Sequence, residues 1–307
     1  MAKYDITQIK GVIPAMLTFF DENEEIDEVR TRAMTEYMVK TGVNGLYLTG
    51  STGACFTMTM EERNRVVDIV CDQVKGRVPV IVHVGDIGTK KSIELAEHAE
   101  AAGADAISSV PPFYWNFSAE AIYNYYKDID EATGLPMIVY NIQLAGIMGR
   151  NLLQHLAEIP NVKGMKYTAR THDEMGSLKR QLGKDFLIYS GCDEMAFSGL
   201  CSGADGIIGS FYNVIPELFL EIYNASRDGN IAEGMRLQGI ADEFIFAALQ
   251  YDFIGGMYNM LGWRGLDAGR CRRPFRSYRE EELTDLKARI GEIRETMAPA
   301  ELSMFNL

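Results

Sequence analysis

The chain has 307 residues, 47% of them hydrophobic and 24% charged, close to the proportions of soluble globular proteins and unlike those of disordered, collagen-like or disulfide-scaffold chains. Lys and Arg total 30 against 43 Asp and Glu, a formal net charge of −13. That balance disfavours nucleic acid and anionic membranes as partners, and it requires a local cationic host for any anionic ligand. The five cysteines (Cys55, Cys71, Cys192, Cys201, Cys271) are scattered, odd in number and without a CxxC pair, so reduced thiols are expected and neither a zinc knuckle nor a disulfide framework. The first apolar stretch, Val12 to Phe20, contains Pro14 and runs into the acidic Asp21–Glu25 segment, which is not the pattern of a signal peptide. No run approaches the ~20 apolar residues of a membrane span. A soluble, cytoplasmic protein is the expectation.

Short β-branched or apolar runs, each followed by a longer amphipathic segment, recur along the first two-thirds of the chain, the pattern of repeated βα units. The strands expected are Val12–Leu17, Gly45–Thr49, Val78–His83, Ala106–Val110, Met137–Tyr140, Val162–Lys166, Phe186–Ser190 and Gly206–Gly209. Eight such units with no GxGxxG after the first strand favour a closed (β/α)8 barrel over an open doubly wound sheet. Among the intervening helices, Ser92–Ala99 places Ile93, Leu95, Ala96 and Ala99 along one side with carboxylates opposite. Small-residue–glycine pairs at Thr41-Gly42, Ala102-Gly103, Thr133-Gly134 and Ser202-Gly203 read as helix stops with a left-handed residue. Beyond Asp228 strand signals cease, and Ile231–Leu249, Phe253–Leu261 and Glu280–Met297 read as helices. With no flexible linker between them, residues 1–228 are expected to form the barrel and residues 229–307 a helical extension packed on it.

Barrels of this kind carry their reactive groups at the C-terminal ends of strands. Lys166 stands at such an end, on the face shared with Gly164 and Thr168. A lysine is ordinarily a surface residue, but one aimed into a barrel is desolvated, which favours the neutral amine that attacks a ketone to form a Schiff base. Tyr140 ends the neighbouring strand and is placed to relay a proton, although a tyrosine packed in a barrel layer is the commoner case. Gly50-Ser51-Thr52-Gly53 follows the second strand; its N–H groups and hydroxyls suit a carboxylate or phosphate, but such a loop is more often a simple turn. Gly191-Cys192-Asp193-Glu194 follows the seventh strand and Gly209-Ser210 the eighth, where the acids serve either as helix caps or as partners for sugar hydroxyls. The four histidines (His83, His98, His155, His172) have no metal-ligand spacing and no GxSxG accompanies them, so neither a metal-dependent aldolase nor a Ser-His-Asp hydrolase is expected.

These motifs, together with Val110-Pro111-Pro112-Phe113-Tyr114-Trp115, Val139-Tyr140-Asn141-Ile142, Gly206-Ile207-Ile208-Gly209-Ser210 and Cys271-Arg272-Arg273-Pro274-Phe275, resemble in order and nearly full length the N-acetylneuraminate lyase subgroup of the pyruvate-dependent class I aldolases, the family that includes dihydrodipicolinate synthase. The resemblance implies Lys166 as Schiff-base lysine, Tyr140 as acid–base tyrosine, and Ser51 and Thr52 as binders of the substrate carboxylate. It implies that Tyr114 joins a neighbouring subunit's site in a relay with the loop hydroxyl and the acid–base tyrosine, hence a homotetramer. It further implies Thr168, Gly191, Asp193, Glu194 and Ser210 as the residues that hold the polyol end of a sialic acid. Dihydrodipicolinate synthases carry an arginine shortly after the tyrosine, where this sequence has Leu144. Two departures from the family pattern stand out: Ala54 where glutamate is usual, and Asn141-Ile142-Gln143 in place of Asn-Ile-Pro, with one residue fewer.

The activity implied is cleavage of N-acetylneuraminate to N-acetylmannosamine and pyruvate, without metal or organic cofactor. Alternatives are another pyruvate-dependent aldolase or dehydratase of the same fold, acting on a 2-keto-3-deoxy sugar acid, a dihydrodipicolinate synthase, or a sugar-acid sensor that retains the pocket without turnover.

Overall fold

The computed structural model describes residues 3–297. Eight parallel strands run in the order β1 (Gly11–Pro14), β8 (Gly206–Gly209), β7 (Leu187–Ser190), β6 (Val162–Thr168), β5 (Met137–Ile142), β4 (Ala106–Ser109), β3 (Val80–His83), β2 (Leu46–Leu48). The seam between β1 and β2 is closed by a parallel bridge from Ala15 to Tyr47, with the Met16 N–H donating to the Tyr47 carbonyl at 2.9 Å. The chain is therefore a (β/α)8 barrel, as the alternation of elements implied. Around it lie α1 (Glu28–Thr41), α2 (Met60–Val74), α3 (Thr89–Ala101), α4 (Ala119–Ala132), α5 (Arg150–Leu156), α6 (His172–Leu182), α7 (Ala196–Cys201) and α8 (Pro216–Arg227).

Strand limits differ from the sequence reading for identifiable reasons. β1 proper spans Gly11–Pro14, and beyond it only single bonds continue, from the Ala15 N–H to the Gly209 carbonyl and from the Met16 N–H to the Tyr47 carbonyl, both at 2.9 Å. β5 and β6 run two residues further than expected and carry their pairing through Tyr140↔Lys166 to Ile142↔Thr168. A register shift between Met137 and Ile138 leaves Lys163 out of the pairing and exposed, so the face holding Gly164, Lys166 and Thr168 is kept inward. Of the four glycine stops, Gly42, Gly103 and Gly203 are left-handed. Gly134 is not: α4 ends in extended Thr133, and the Glu100 carboxylate accepts from both the Thr133 hydroxyl and the Gly134 N–H.

Two apolar layers result. The barrel interior is filled by Ile13, Tyr47, Ile81, Ala106, Ile138, Tyr140, Leu187, Tyr189 and Ile208, while the outward strand faces pack against the helices. Each fully buried aliphatic or aromatic side chain contributes roughly 1.5–3 kcal/mol, so a charged residue inside this stack is a departure that needs a cause. The floor is sealed by Tyr189, whose hydroxyl donates to the Ile9 carbonyl at 2.6 Å. After the barrel come α9 (Ile231–Ala248), α10 (Phe253–Trp263) and α11 (Thr284–Thr296). The helix expected over Glu280–Met297 is divided: Glu280–Leu283 is a tight 3-10 turn and the α-helix begins at Thr284. Leu237, Ile240, Phe244 and Ile245 of α9 belong to the same apolar core as the outer faces of the barrel. No helix among the described residues is long and apolar enough to cross a membrane.

Candidate active site

Lys166 and Tyr140 are direct register partners on β6 and β5, and both are 3% exposed. The Lys166 amine lies over the ring of Tyr140 at 4.1 Å and over that of Tyr47 at 4.7 Å, so two aromatic faces hold it within the barrel. Period-two alternation puts both side chains inward, on the side of the paired Ile138 and Gly164 two positions earlier on each strand. Tyr47 is held in turn, its hydroxyl 3.1 Å from Ser108 Oγ, which donates to the Ile138 carbonyl at 2.8 Å. A mobile four-carbon side chain is thus confined to one direction by two rings.

The loop after β2 curls over this pair. Thr52 Oγ1 shares a 2.7 Å hydrogen bond with Ser210 Oγ, joining the loop to the end of β8 across the mouth, while Ser51 is half-buried at the rim. Ser51 also lines an apolar recess of about 240 Å³ with Ala54, Phe56, Phe113, Ile142 and Leu144. Ala54, which stands where glutamate is usual, is buried and left-handed (φ 55°). Leu144 is 79% exposed in a 3-10 turn, Gln143–Ala145. Tyr114 is not gathered into the chain's own site: it is 91% exposed, with a left-handed backbone (φ 74°) that a tyrosine rarely adopts.

The β7 and β8 ends supply the other side. Asp193 Oδ2 accepts from the Ser210 and Phe211 N–H groups at 2.9 and 2.8 Å. Burial, reinforced by the Glu194 charge, pushes its carboxyl up to about 7 against those two bonds. Glu194 is half-buried, and its carboxylate lies 3.6 Å from the Arg170 guanidinium. Thr168 Oγ1 is buried with no hydrogen-bond partner among the described residues, an expensive condition for a hydroxyl that a ligand would relieve. Gly191 is needed beside it, because a Cβ there would overlap Thr168 Oγ1 and come within 3.2 Å of Lys166 Cε. All the expected site residues except Tyr114 therefore meet at the C-terminal mouth of the barrel.

Three participants were not singled out from sequence. Tyr47 was legible in principle, since alternation along β2 faces it inward. His83, 1% exposed, lies between the β2 and β4 ends, but a lone histidine in an apolar strand reads as core. Gln238, on α9, donates to the Asp193 carbonyl at 3.1 Å while its Oε1 accepts from the Phe197 N–H at 2.8 Å; only a polar residue on the buried side of that helix hints at it. Among the described residues no group of three His, Cys, Asp or Glu side chains is arranged to hold a metal.

Residues 8–293 match the Dihydrodipicolinate synthetase family. The chain belongs to that family. The N-acetylneuraminate lyase of Salmonella paratyphi B is 36% identical over 294 residues, 94% of this chain and 99% of that protein. Among solved structures, a catalytic lysine mutant of the Ruminococcus gnavus sialic acid aldolase superposes with a TM-score of 0.91 at 31% identity, covering 97% of this chain and 100% of that one. A dihydrodipicolinate synthase from Bacillus anthracis superposes with a TM-score of 0.88 at 27% identity, over 95% and 99% of the two chains. As a member of the dihydrodipicolinate synthetase family the protein is an enzyme of the carbon–carbon lyase kind, with neighbours on both the aldolase and the synthase side.

Proposed function

We propose that the protein cleaves open-chain N-acetylneuraminate to N-acetylmannosamine and pyruvate through a Schiff base on Lys166. The observation that carries this reading is the Lys166 amine, buried among barrel side chains and stacked over Tyr140. The lysine mutant among the solved relatives, described as catalytic in that protein, supports the same assignment. The amine attacks the C2 ketone while Ser51 and Thr52 hold the adjacent carboxylate; water leaves and an iminium forms. The iminium draws in the C3–C4 bonding pair as the C4 hydroxyl proton is removed through the Tyr140 oxygen, which relays it onward, and the aldehyde is released. The enamine is then protonated at C3, and water hydrolyses the imine to pyruvate and free lysine.

Thr168, Gly191, Asp193, Glu194 and Ser210 form the polar wall on the far side of Lys166 from the apolar recess. That wall, with the unpartnered Thr168 hydroxyl, suits a polyol chain. Leu144, in place of an arginine, offers no grip for a second carboxylate, and this favours the sialic acid over the synthase substrate. The recess beside Ser51 is open and apolar, and Tyr114 stands free of its own site. On this reading a partner's tyrosine enters each recess within a homotetramer.

Pyruvate release from N-acetylneuraminate, with release from 2-keto-3-deoxygluconate and dihydrodipicolinate formation measured beside it, tests the substrate. Activity on either alternative with none on N-acetylneuraminate sinks the choice. Borohydride trapping with pyruvate tests the mechanism, and an adduct mapping anywhere but Lys166, or none, removes it. Light scattering of wild type and Tyr114→Ala tests the assembly; a wild-type monomer with full activity would overturn the shared-site arrangement.

A further inference from the structure

His83 ends β3, and its ring makes one bond in each direction. Nε2 receives the Val110 N–H at 3.3 Å, so the ring proton resides on Nδ1, which donates to the Thr49 carbonyl at 3.0 Å. Thr49 is the residue immediately before Gly50-Ser51-Thr52-Gly53, and Val110 immediately precedes Pro111-Pro112-Phe113-Tyr114. The imidazole therefore spans the roots of the two loops that carry Ser51 and Tyr114.

The Thr49 end is a reciprocal latch. Thr49 Oγ1 donates to the His83 carbonyl at 2.9 Å, and the same carbonyl receives Arg63 Nη2 at 2.8 Å. Arg63 is 2% exposed; it also donates to the Gly85 carbonyl at 3.2 Å and lies 3.6 Å from the Asp86 carboxylate. Thr49 needs such restraint, because its φ of 51° is left-handed, a conformation that costs a β-branched residue on the order of 1–3 kcal/mol and persists only when the surroundings impose it. Around the imidazole, Tyr140 and Phe56 meet it at 6.1 Å, both near-perpendicular, and Tyr47 lies at 6.3 Å, tilted by 35°. Burial and the Arg63 charge hold His83 well below the usual histidine range, consistent with a ring that stays neutral.

We propose that His83 is a positioning residue that sets the carboxylate-binding loop through Thr49 and the Tyr114 loop through Val110. Its effect on turnover rests on the Schiff-base reading of Lys166; its effect on the loops does not. Three variants separate its two bonds. His83→Asn places an amide N–H where Nδ1 lies and keeps the Thr49 bond. His83→Gln places a carbonyl near Nε2 and keeps the Val110 bond. His83→Leu keeps neither.

Hydrogen exchange is read on peptides covering 49–57 and 108–117, alongside the pyruvate concentration that half-saturates borohydride trapping. His83→Leu is expected to lose protection in both peptides and to raise the half-saturating pyruvate concentration about ten- to a hundredfold, the scale of a loop displaced by about 1 Å, with the adduct still on Lys166. His83→Asn is expected to recover the first peptide and near wild-type half-saturation, and His83→Gln only the second peptide. Equal damage in all three variants, or wild-type protection and half-saturation in His83→Leu, overturns the proposal. Absence of any adduct in the wild type overturns the Schiff-base reading instead, and the exchange data still decide the role of His83.

Discussion

Raising the pH is expected to weaken the wild-type fold relative to Asp193→Asn. In the fold the Asp193 carboxyl titrates at about 7, raised from its ordinary 3.8 chiefly by burial. A raised carboxyl stabilises the fold fully below its unfolded value, and the contribution is lost as pH rises through the folded value. Between about pH 5 and about pH 8 the loss amounts to roughly 2–3 kcal/mol. At about 2.1 cal/mol/K of unfolding entropy per residue, a chain of this length moves by about 4 °C for that energy. Asparagine retains an oxygen for the Ser210 and Phe211 N–H groups and does not titrate. The neutral imidazole of His83 works in the opposite sense, since the unfolded chain takes up a proton below about 6.5 and stability rises with pH through that range. That contribution is common to both proteins and cancels in their difference. Thermal unfolding of the pair at fixed protein concentration, across this pH range, should show the gap in Tm shifting by about 4 °C in favour of Asp193→Asn. Parallel Tm curves would refute the claim that Asp193 is held as a high-pKa acid.

Other outcomes follow from the same geometry. Lys166→Met should abolish the borohydride adduct and bring pyruvate release down to background, as mass spectrometry and a coupled assay would show. Tyr140→Phe keeps the ring over which the amine lies, so pyruvate trapping should survive while kcat falls by about 10²–10⁴; an unchanged kcat would exclude the phenol as the proton carrier. Gly191→Ala forces a methyl against Thr168 Oγ1 and Lys166 Cε and should reduce kcat/KM by at least about tenfold, on the scale of a sub-ångström displacement of reacting groups, without loss of folding by circular dichroism. Gln238→Leu leaves the Phe197 N–H without its partner and takes one of two donors from the Asp193 carbonyl, which keeps the Ala196 N–H; the cost is about 1–3 kcal/mol for the buried group left unpaired, measurable as a drop in Tm of about 2–5 °C.

The barrel was legible because each βα unit announces itself locally. The pairing of Lys166 with Tyr140 was equally within reach, since period-two alternation on adjacent strands fixes which side chains share the interior. Lys163 shows the limit: a local register shift turns it out of the ladder, and no local signal distinguishes it from an ordinary paired residue. Strand ends differ from the expectation where pairing depends on the neighbour, as at Ile142↔Thr168. Gly134 failed as a left-handed stop because the Glu100 carboxylate, 34 positions earlier in sequence, already satisfies its N–H. His83 and Gln238 were hidden for the same reason: each acts through backbone groups brought near it only by closure of the barrel, and side-chain patterns carry no record of those contacts.

The amide of Gln238 gives α9 a direct hold on the segment that presents Asp193. A sequence change that slides or rotates this helix would be transmitted first to the β7 and β8 ends, whereas Lys166 is seated between β5 and β7 among tyrosine rings. On the proposed function, the wall read as holding the sugar thus has a support of its own outside the barrel. If the proposed function holds, exchange of α9 between relatives offers a way to alter which sugar fits while Lys166 stays in place.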